Sequence, residues 1–342
     1  MFRGTIRLVL GALIVGAFAL SASAEDKTVE LKFSHWVPPT HPIQPDGMVP
    51  WAKSIEEASG GSIKITIYPA QQLGKAPDHY DMARDGIAEI TFISPGYQPG
   101  RFPIIDAGAL PFIFSNATGG SAAIDEWYRP YAAKEMSDVK FCLAHLHDPG
   151  TFHSKIAITR PEQIKGMKIR PAHATMARFV SLLGGSSVQV SAPEAREALE
   201  RGVADAITFP WNSIILFGID KVVKFHTDMK LYATPFVWVM NQAAYDKMSD
   251  AQKKVIDDHC TSEWAEKVAA PWGDWEAAGR DKIAKMEGHT IVPVTDDDIA
   301  AWRKAAEPLR AQWIEDVGKK GIDGKKALED LEAAAKAHNA AY

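Results

Sequence analysis

The stretch KGMKIRPAH, residues 165–173, sets Met167 and Ile169 against Lys168 and Arg170 in strand-like alternation and then meets Pro171. Proline has no N–H to donate, so sheet pairing ends there. Arg170 is thereby placed at a strand's C-terminal lip, where α/β proteins put ligand contacts. The chemistry this permits is anion capture: a guanidinium offers two parallel donors to a carboxylate and fixes both its charge and its orientation. A second constellation is HLHDPGTFH, with His145, His147, His153 and Asp148. His-x-His on a strand presents both rings to one face. A zinc site needs a third or fourth convergent ligand, and no Cys/His pair at metal spacing completes this one. These histidines are therefore read as hydrogen-bonding groups with no metal and no other cofactor, and His147 as a candidate ligand donor near a chain crossing.

Aromatic residues sit at the expected strand ends and loops: Trp36, Tyr97, Phe209, Trp211 and Phe236. With one guanidinium they suit a ligand with an acid head and an apolar or ring-shaped body. For Trp36 and Phe209, pocket wall and core are balanced readings. Phe236 leans to core, and Tyr97, in the loop SPGYQPGRF, faces a cleft. Arg101 in that loop is either a second cation or a surface residue. Catalytic signatures are missing from the sequence: no G-x-S-x-G, no HExxH, no phosphate loop and no G-x-G-x-x-G after the first strand. No pair of carboxylates is singled out for glycosidase work. No catalytic residue is assigned, and a secreted hydrolase acting on a small acidic or sugar substrate is the enzyme alternative. Turnover of candidate acids would mark the enzyme; a thermal shift with the ligand left intact would mark a binder.

Residues 1–24 read as an export signal. Arg3 and Arg7 precede the apolar run LVLGALIVGAFAL, and Ala22-Ser23-Ala24 supplies a cleavage site, with Glu25 next. The run of about 13 residues is short of the ~20 that span a bilayer, and no lipid-accepting cysteine follows it. The chain holds 38 basic and 43 acidic side chains, so without the two leader arginines 36 stand against 43. With no Lys/Arg cluster, that balance excludes a nucleic-acid or anionic-membrane partner. The remaining 318 or so residues exceed the size at which single cores divide, which predicts two lobes. The cysteines, Cys142 and Cys260, fall in an apolar strand and a helical run. Export permits a bridge, but this placement favours two buried free thiols, and no electropositive setting activates either.

Positioning these residues requires an α/β chain. VELKFSHW, SIKITIYPA and AEITFIS alternate as strands with helices through WAKSIEEA and APDHYDMARDG, a β-α-β-α-β order over residues 30–94 that predicts a mostly parallel sheet flanked by helices. Pro50 lies near its helix's first turn or kinks it. The Pro/Gly/Phe-rich residues 95–117 form a long loop of the kind that is usually functional. A helix near 119–137 leads to strand 139–146 and, after a break at HDPGTFH, strand 154–159. KGMKIR, a helix from His173 to Leu183, the helix APEAREALERG, strand VADAITF, a short helix in PWNSIILFG and the apolar strand LYATPFVWVMN follow. From Ser249 to about Met286 one helical segment is predicted, opened by a Ser249/Gln252 capping box and kinked at Pro271. At 1.5 Å per residue its length is roughly 50 Å, enough to brace two lobes. Helices over 295–318 and 323–341 close the chain.

The order SGGSIKITIYPAQQLG, ARDGIAEITFIS into LPFIF, IKGMKIR, EAREALERGVADA and DKMSDAQKKVI, with His41-Pro42 after the first strand, resembles the DctP-type solute-binding proteins of tripartite ATP-independent periplasmic (TRAP) transporters over nearly the whole mature chain. The resemblance implies two α/β lobes hinged about a cleft, residues 25–148 with 236–272 in one and 149–235 with 273–342 in the other. It implies a monomeric periplasmic receptor that delivers a small organic acid to integral-membrane permease subunits, and an Arg170-carboxylate pair that holds that acid. Family members often carry an asparagine where ADAITFPWN has Phe209; Asn212, at the start of the next helix, is the substitute donor. Phe209 and the aromatic lips tilt the ligand toward a monocarboxylate with a branched or aromatic body.

Overall fold

The computed structural model describes residues 26–342; the predicted leader and its cleavage site lie outside them. The first layer alternates strand and helix: β1 (Val29–Ser34), a π-helical turn Ile43–Met48, α1 (Val49–Ala58), β2 (Ile63–Tyr68), α2 (His79–Arg84), β3 (Ile90–Ile93), α3 (Ala117–Glu135) and β4 (Val139–Leu146). Pro50 sits in the first turn of α1, where its missing N–H costs nothing. The chain then builds a second layer with β5 (Thr151–Ser154), β6 (Lys168–Arg170), α4 (Ala174–Leu182), β7 (Ser186–Ser187), α5 (Ala192–Glu200), β8 (Ala206–Phe209), α6 (Ser213–Leu216) and β9 (Phe225–Thr227). It returns through β10 (Pro235–Asn241), α7 (Gln242–Asp246), α8 (Asp250–His259), α9 (Ser262–Ala277) and α10 (Gly279–Ala284). β11 (Thr290–Val292), α11 (Asp296–Gly318) and α12 (Gly324–Ala337) complete the chain.

Two sheets result, ordered β2-β1-β3-β10-β4 and β11-β9-β5-β8-β6-β7. Each is parallel apart from one strand: β10 opposes β3 and β4, and β5 opposes β8 and β9. These are the strands reached by a direct crossing from the other sheet; β11, reached through the helices that follow β10, runs parallel to β9. The two crossings touch. Gly150 N–H donates to Tyr232 O at 2.8 Å and Leu231 N–H to Gly150 O at 3.0 Å. A Cβ on Gly150 would lie 2.6 Å from Phe209 O, so only glycine allows this approach.

Three expectations are corrected. The strand expected at 154–159 is β5, which starts three residues earlier, mostly inside the supposed break, and ends at Ser154, because its hydrogen-bonding partners β8 and β9 set its register. The predicted continuous 249–286 helix is three helices. The chain turns at Cys260, where Thr261 caps α9 by accepting from Trp264 N–H at 3.3 Å, whereas Pro271 lies inside α9 without ending it. The brace is thus α9 alone, 16 residues, about 24 Å long at 1.5 Å per residue. It still reaches both layers: Ser262 at its start donates to Asp125 of α3 at 2.7 Å, and Glu276 near its end accepts from Asn212 N–H at 2.6 Å. Finally, the cysteines are not free thiols; Cys142 of β4 is bonded to Cys260 at the α8–α9 turn, closing a span of 118 residues. Their proximity depends on α8 folding back on the first sheet, which no local pattern states. The tail touches both layers, with Trp302 donating to Thr159 O and α12 accepting at Ala327 O from Trp127 of α3, each at 2.8 Å.

Candidate functional site

β6 pairs with β8, Arg170 opposite Ile207, and stops at Pro171 as its sequence requires. The side chain of Arg170 is 1% exposed. Its Nε donates to Val190 O at 2.9 Å and one terminal nitrogen reaches Tyr97 Oη at 3.4 Å. Among the described residues no carboxylate pairs with it. A buried cation without a counter-ion is costly, and this one has donors to spare. Phe209, at the end of β8, covers one face of the guanidinium, 5.5 Å from Cζ to ring centroid. An asparagine there would offer an amide; the phenyl ring offers a wall.

Arg170 opens on a narrow hollow of about 40 Å³ between the layers. Of the residues expected at the site, Trp36, Tyr97, His147, Arg170, Phe209 and Phe236 line it. Trp36 stacks on Phe92 with centroids 5.4 Å apart, and Phe236 leans on Trp272 at 5.3 Å. Tyr97 crosses from the first layer to the second: its Oη accepts from Ala192 N–H at 3.0 Å as well as from Arg170. That leaves the phenolic proton free to donate.

Trp211 and Asn212 do not line the hollow. Trp211 turns into the second layer, edge-on to His153 at 5.2 Å. Asn212 spends its amide on Trp275 O at 2.6 Å, because α9 passes directly beneath. The donor expected to replace an asparagine at Phe209 is thus tied to the brace. His147 contributes a ring but no free nitrogen. Its Nδ1–H donates to Asp148 O at 2.5 Å and its Nε2 accepts from Thr234 Oγ1 at 2.8 Å. Burial holds its pKa down to about 4, so it is neutral at physiological pH. Arg101 lies elsewhere, pairing with Asp81 at 2.9 Å.

The other histidines of the HLHDPGTFH run also serve as hydrogen-bonding groups. His145 accepts from Trp238 Nε1 at 3.1 Å. His153 begins a chain across the second sheet, His153 to His226 at 2.7 Å and His226 to His289 at 2.9 Å, while its Nε2 donates to Phe209 O at 3.0 Å. Among the described residues no three His, Cys, Asp or Glu side chains converge to hold a metal.

Sequence reasoning missed His41, Tyr232, Thr234 and Trp272, all of which line the hollow. Tyr232 sits in a run that reads as an apolar strand, and only the crossing turns it toward Arg170. Glu276 was missed as well. Fully buried, it accepts from the Asn212 and Ser213 backbones, the Ser213 hydroxyl and Trp272 Nε1. Burial raises its carboxyl to about 7. It anchors Trp272, one wall of the hollow, to the α6 entrance. A wider groove between α4 and α11 has its cation, Arg178, already paired with Asp316 at 3.0 Å.

Residues 33–316 match the family described as bacterial extracellular solute-binding protein, family 7, the DctP family. The chain belongs to that family. Similar solved structures are TRAP solute-binding proteins. One from Rhodoferax ferrireducens, in complex with copurified benzoate, has a TM-score of 0.86 at 29% identity and covers 91% of this chain and 99% of its own. A marine metagenome protein specific for aromatic acid ligands, in complex with metahydroxyphenylacetate, has a TM-score of 0.84 at 32% identity, covering 91% and 99%. A Bordetella bronchiseptica protein with bound (R)-mandelate and (S)-mandelate has 0.84 at 30% identity, covering 90% and 99%. The two-lobed α/β fold is shared with them. This DctP-type protein is a solute-binding receptor of a TRAP transporter and not an enzyme, which removes the hydrolase alternative. The family is periplasmic, and among the described residues no helix is long and apolar enough to cross a membrane.

Proposed function

We propose that this receptor captures an aromatic monocarboxylate, pairing the acid with Arg170 and packing the ring among Trp36, Phe209 and Phe236. The observation that carries this reading is a fully buried guanidinium with no acidic partner among the described residues, facing a narrow hollow walled by rings. A carboxylate supplies the missing charge, and Tyr97 Oη–H is placed to donate to its second oxygen. Exclusion of water between closed lobes strengthens the pair. The benzoate, hydroxyphenylacetate and mandelate of the similar structures support this class of ligand.

Residues 25–148 with 236–272 move as one lobe and 149–235 with 273–342 as the other. The ligand favours closure by touching both. The closed monomer, released by cleavage after Ala24, then delivers its ligand to the permease. Calorimetry with benzoate, mandelate and hydroxybenzoates tests the reading. Wild-type protein binds at least one of them without metal or nucleotide, and Arg170→Ala weakens that binding by about 2–5 kcal/mol, as expected when a buried carboxylate loses its cation. Unchanged affinity in the variant removes Arg170 from the site.

A further inference from the structure

The hollow has a second polar feature that a bare aromatic acid would not use. His41 follows β1 and lines the wall opposite β6; it is 1% exposed. Its Nδ1 accepts the Ile43 backbone N–H at 3.3 Å. An imidazole nitrogen that accepts is unprotonated, so the neutral ring must carry its proton on Nε2. Burial beside other imidazoles, His35, His145 and His147, pushes the pKa of His41 down to about 3, which keeps the ring neutral. Nε2–H is therefore a fixed donor, and among the described residues it has no hydrogen-bond partner. The ring is held in place edge-to-face against Trp272, centroids 4.7 Å apart.

Deepening the reading above, and resting on it, we infer that His41 is a specificity-determining residue: its Nε2–H donates to an acceptor oxygen on the ligand's body, separate from the carboxylate taken by Arg170. The preferred substrates are then aromatic acids bearing a hydroxyl or oxo group. The physical reason is asymmetric. A ligand lacking that oxygen buries the donor unpaired, and an unmade buried hydrogen bond costs more than a made one contributes. A cationic substituent is disfavoured, because Nε2–H is a donor and offers it no lone pair.

The test is a comparison of matched acids by calorimetry: benzoate against 3- and 4-hydroxybenzoate, and phenylacetate against mandelate, on wild type, His41→Phe and His41→Gln. In wild type at least one hydroxylated acid binds ten times or more tighter than its bare counterpart. His41→Phe removes most of that ratio, weakening the hydroxylated acid and tightening the bare one, which no longer buries an unpaired donor, and His41→Gln, which restores an N–H donor, recovers part of it. Equal losses for both members of each pair would assign His41 to the carboxylate or to packing alone and overturn the inference. So would a wild type that binds bare and hydroxylated acids equally, a readout that stands even if a variant fails to fold. A wild type that binds no aromatic acid overturns the underlying reading instead.

Discussion

At the residue scale, Arg170 and Phe209 have to be considered together. The ring covers one face of a buried guanidinium, and that leaves the edge of the fork as the direction from which an anion can approach. Phe209→Asn exchanges an apolar wall for an amide. We expect the ligand profile in a thermal-shift panel of organic acids to move from aromatic toward smaller, more polar acids; an unchanged profile would show that Phe209 does not shape selectivity. Glu276 acts one contact further out, through Trp272 and Ser213. Arg170 was legible because a strand that stops at proline has a definite end. Glu276 was not, because its four donors come from two separate parts of the chain.

At the element scale, the brace and the disulfide are one arrangement. α8 ends at His259, the chain turns at Cys260, and the bond to Cys142 fixes that turn against β4. Asp125 of α3 reinforces it, accepting from Ala144 N–H at 2.7 Å, from Ser262 Oγ at 2.7 Å and from Arg129 Nε at 2.5 Å. A cross-link over 118 residues restricts the unfolded chain strongly, with an expected contribution of about 2–5 kcal/mol. Cys142→Ser/Cys260→Ser protein, or wild type under reductant, is therefore expected to unfold at a clearly lower temperature or denaturant midpoint. Coincident unfolding curves with and without reductant would argue against a stabilising bridge. Capping residues fared better from sequence: Ser249 and Gln252 exchange their capping bonds at 3.1 Å, as their three-residue spacing implies.

At the scale of the whole molecule, buried imidazoles dominate the pH response. Burial holds His35 and His147 down to about 4, His41, His145, His153 and His173 to about 3, and His226 to about 2. The unfolded chain protonates these groups near 6.5 while the folded one does not. Stability is thus present above about 6.5 and lost as pH falls toward 3–4, at about 1.4 kcal/mol per unit for each group. Asp106 and Glu276, raised to about 7, and Asp148, raised to about 6, act in the opposite sense between roughly 4 and 7. Asp125 and Glu135 are raised as well, and together these carboxyls are fewer than the imidazoles. Thermal unfolding in buffers free of carboxylic acids should show the melting temperature falling from pH 7 to pH 5. A flat or rising profile over that range would contradict it.

Sequence alone determined the alternation of strands and helices, the arginine at a proline-terminated strand and the family, because each is written in local spacing or in the order of short motifs. Tertiary structure decided which residues share the hollow. Trp211 and Asn212, beside Phe209 in sequence, turn to the core and the brace, whereas His41, Tyr232 and Trp272, far apart along the chain, line the same space. The reason is physical: a pocket between two layers is assembled from loops at different strand ends, and the direction of each side chain is set by the backbone packed behind it.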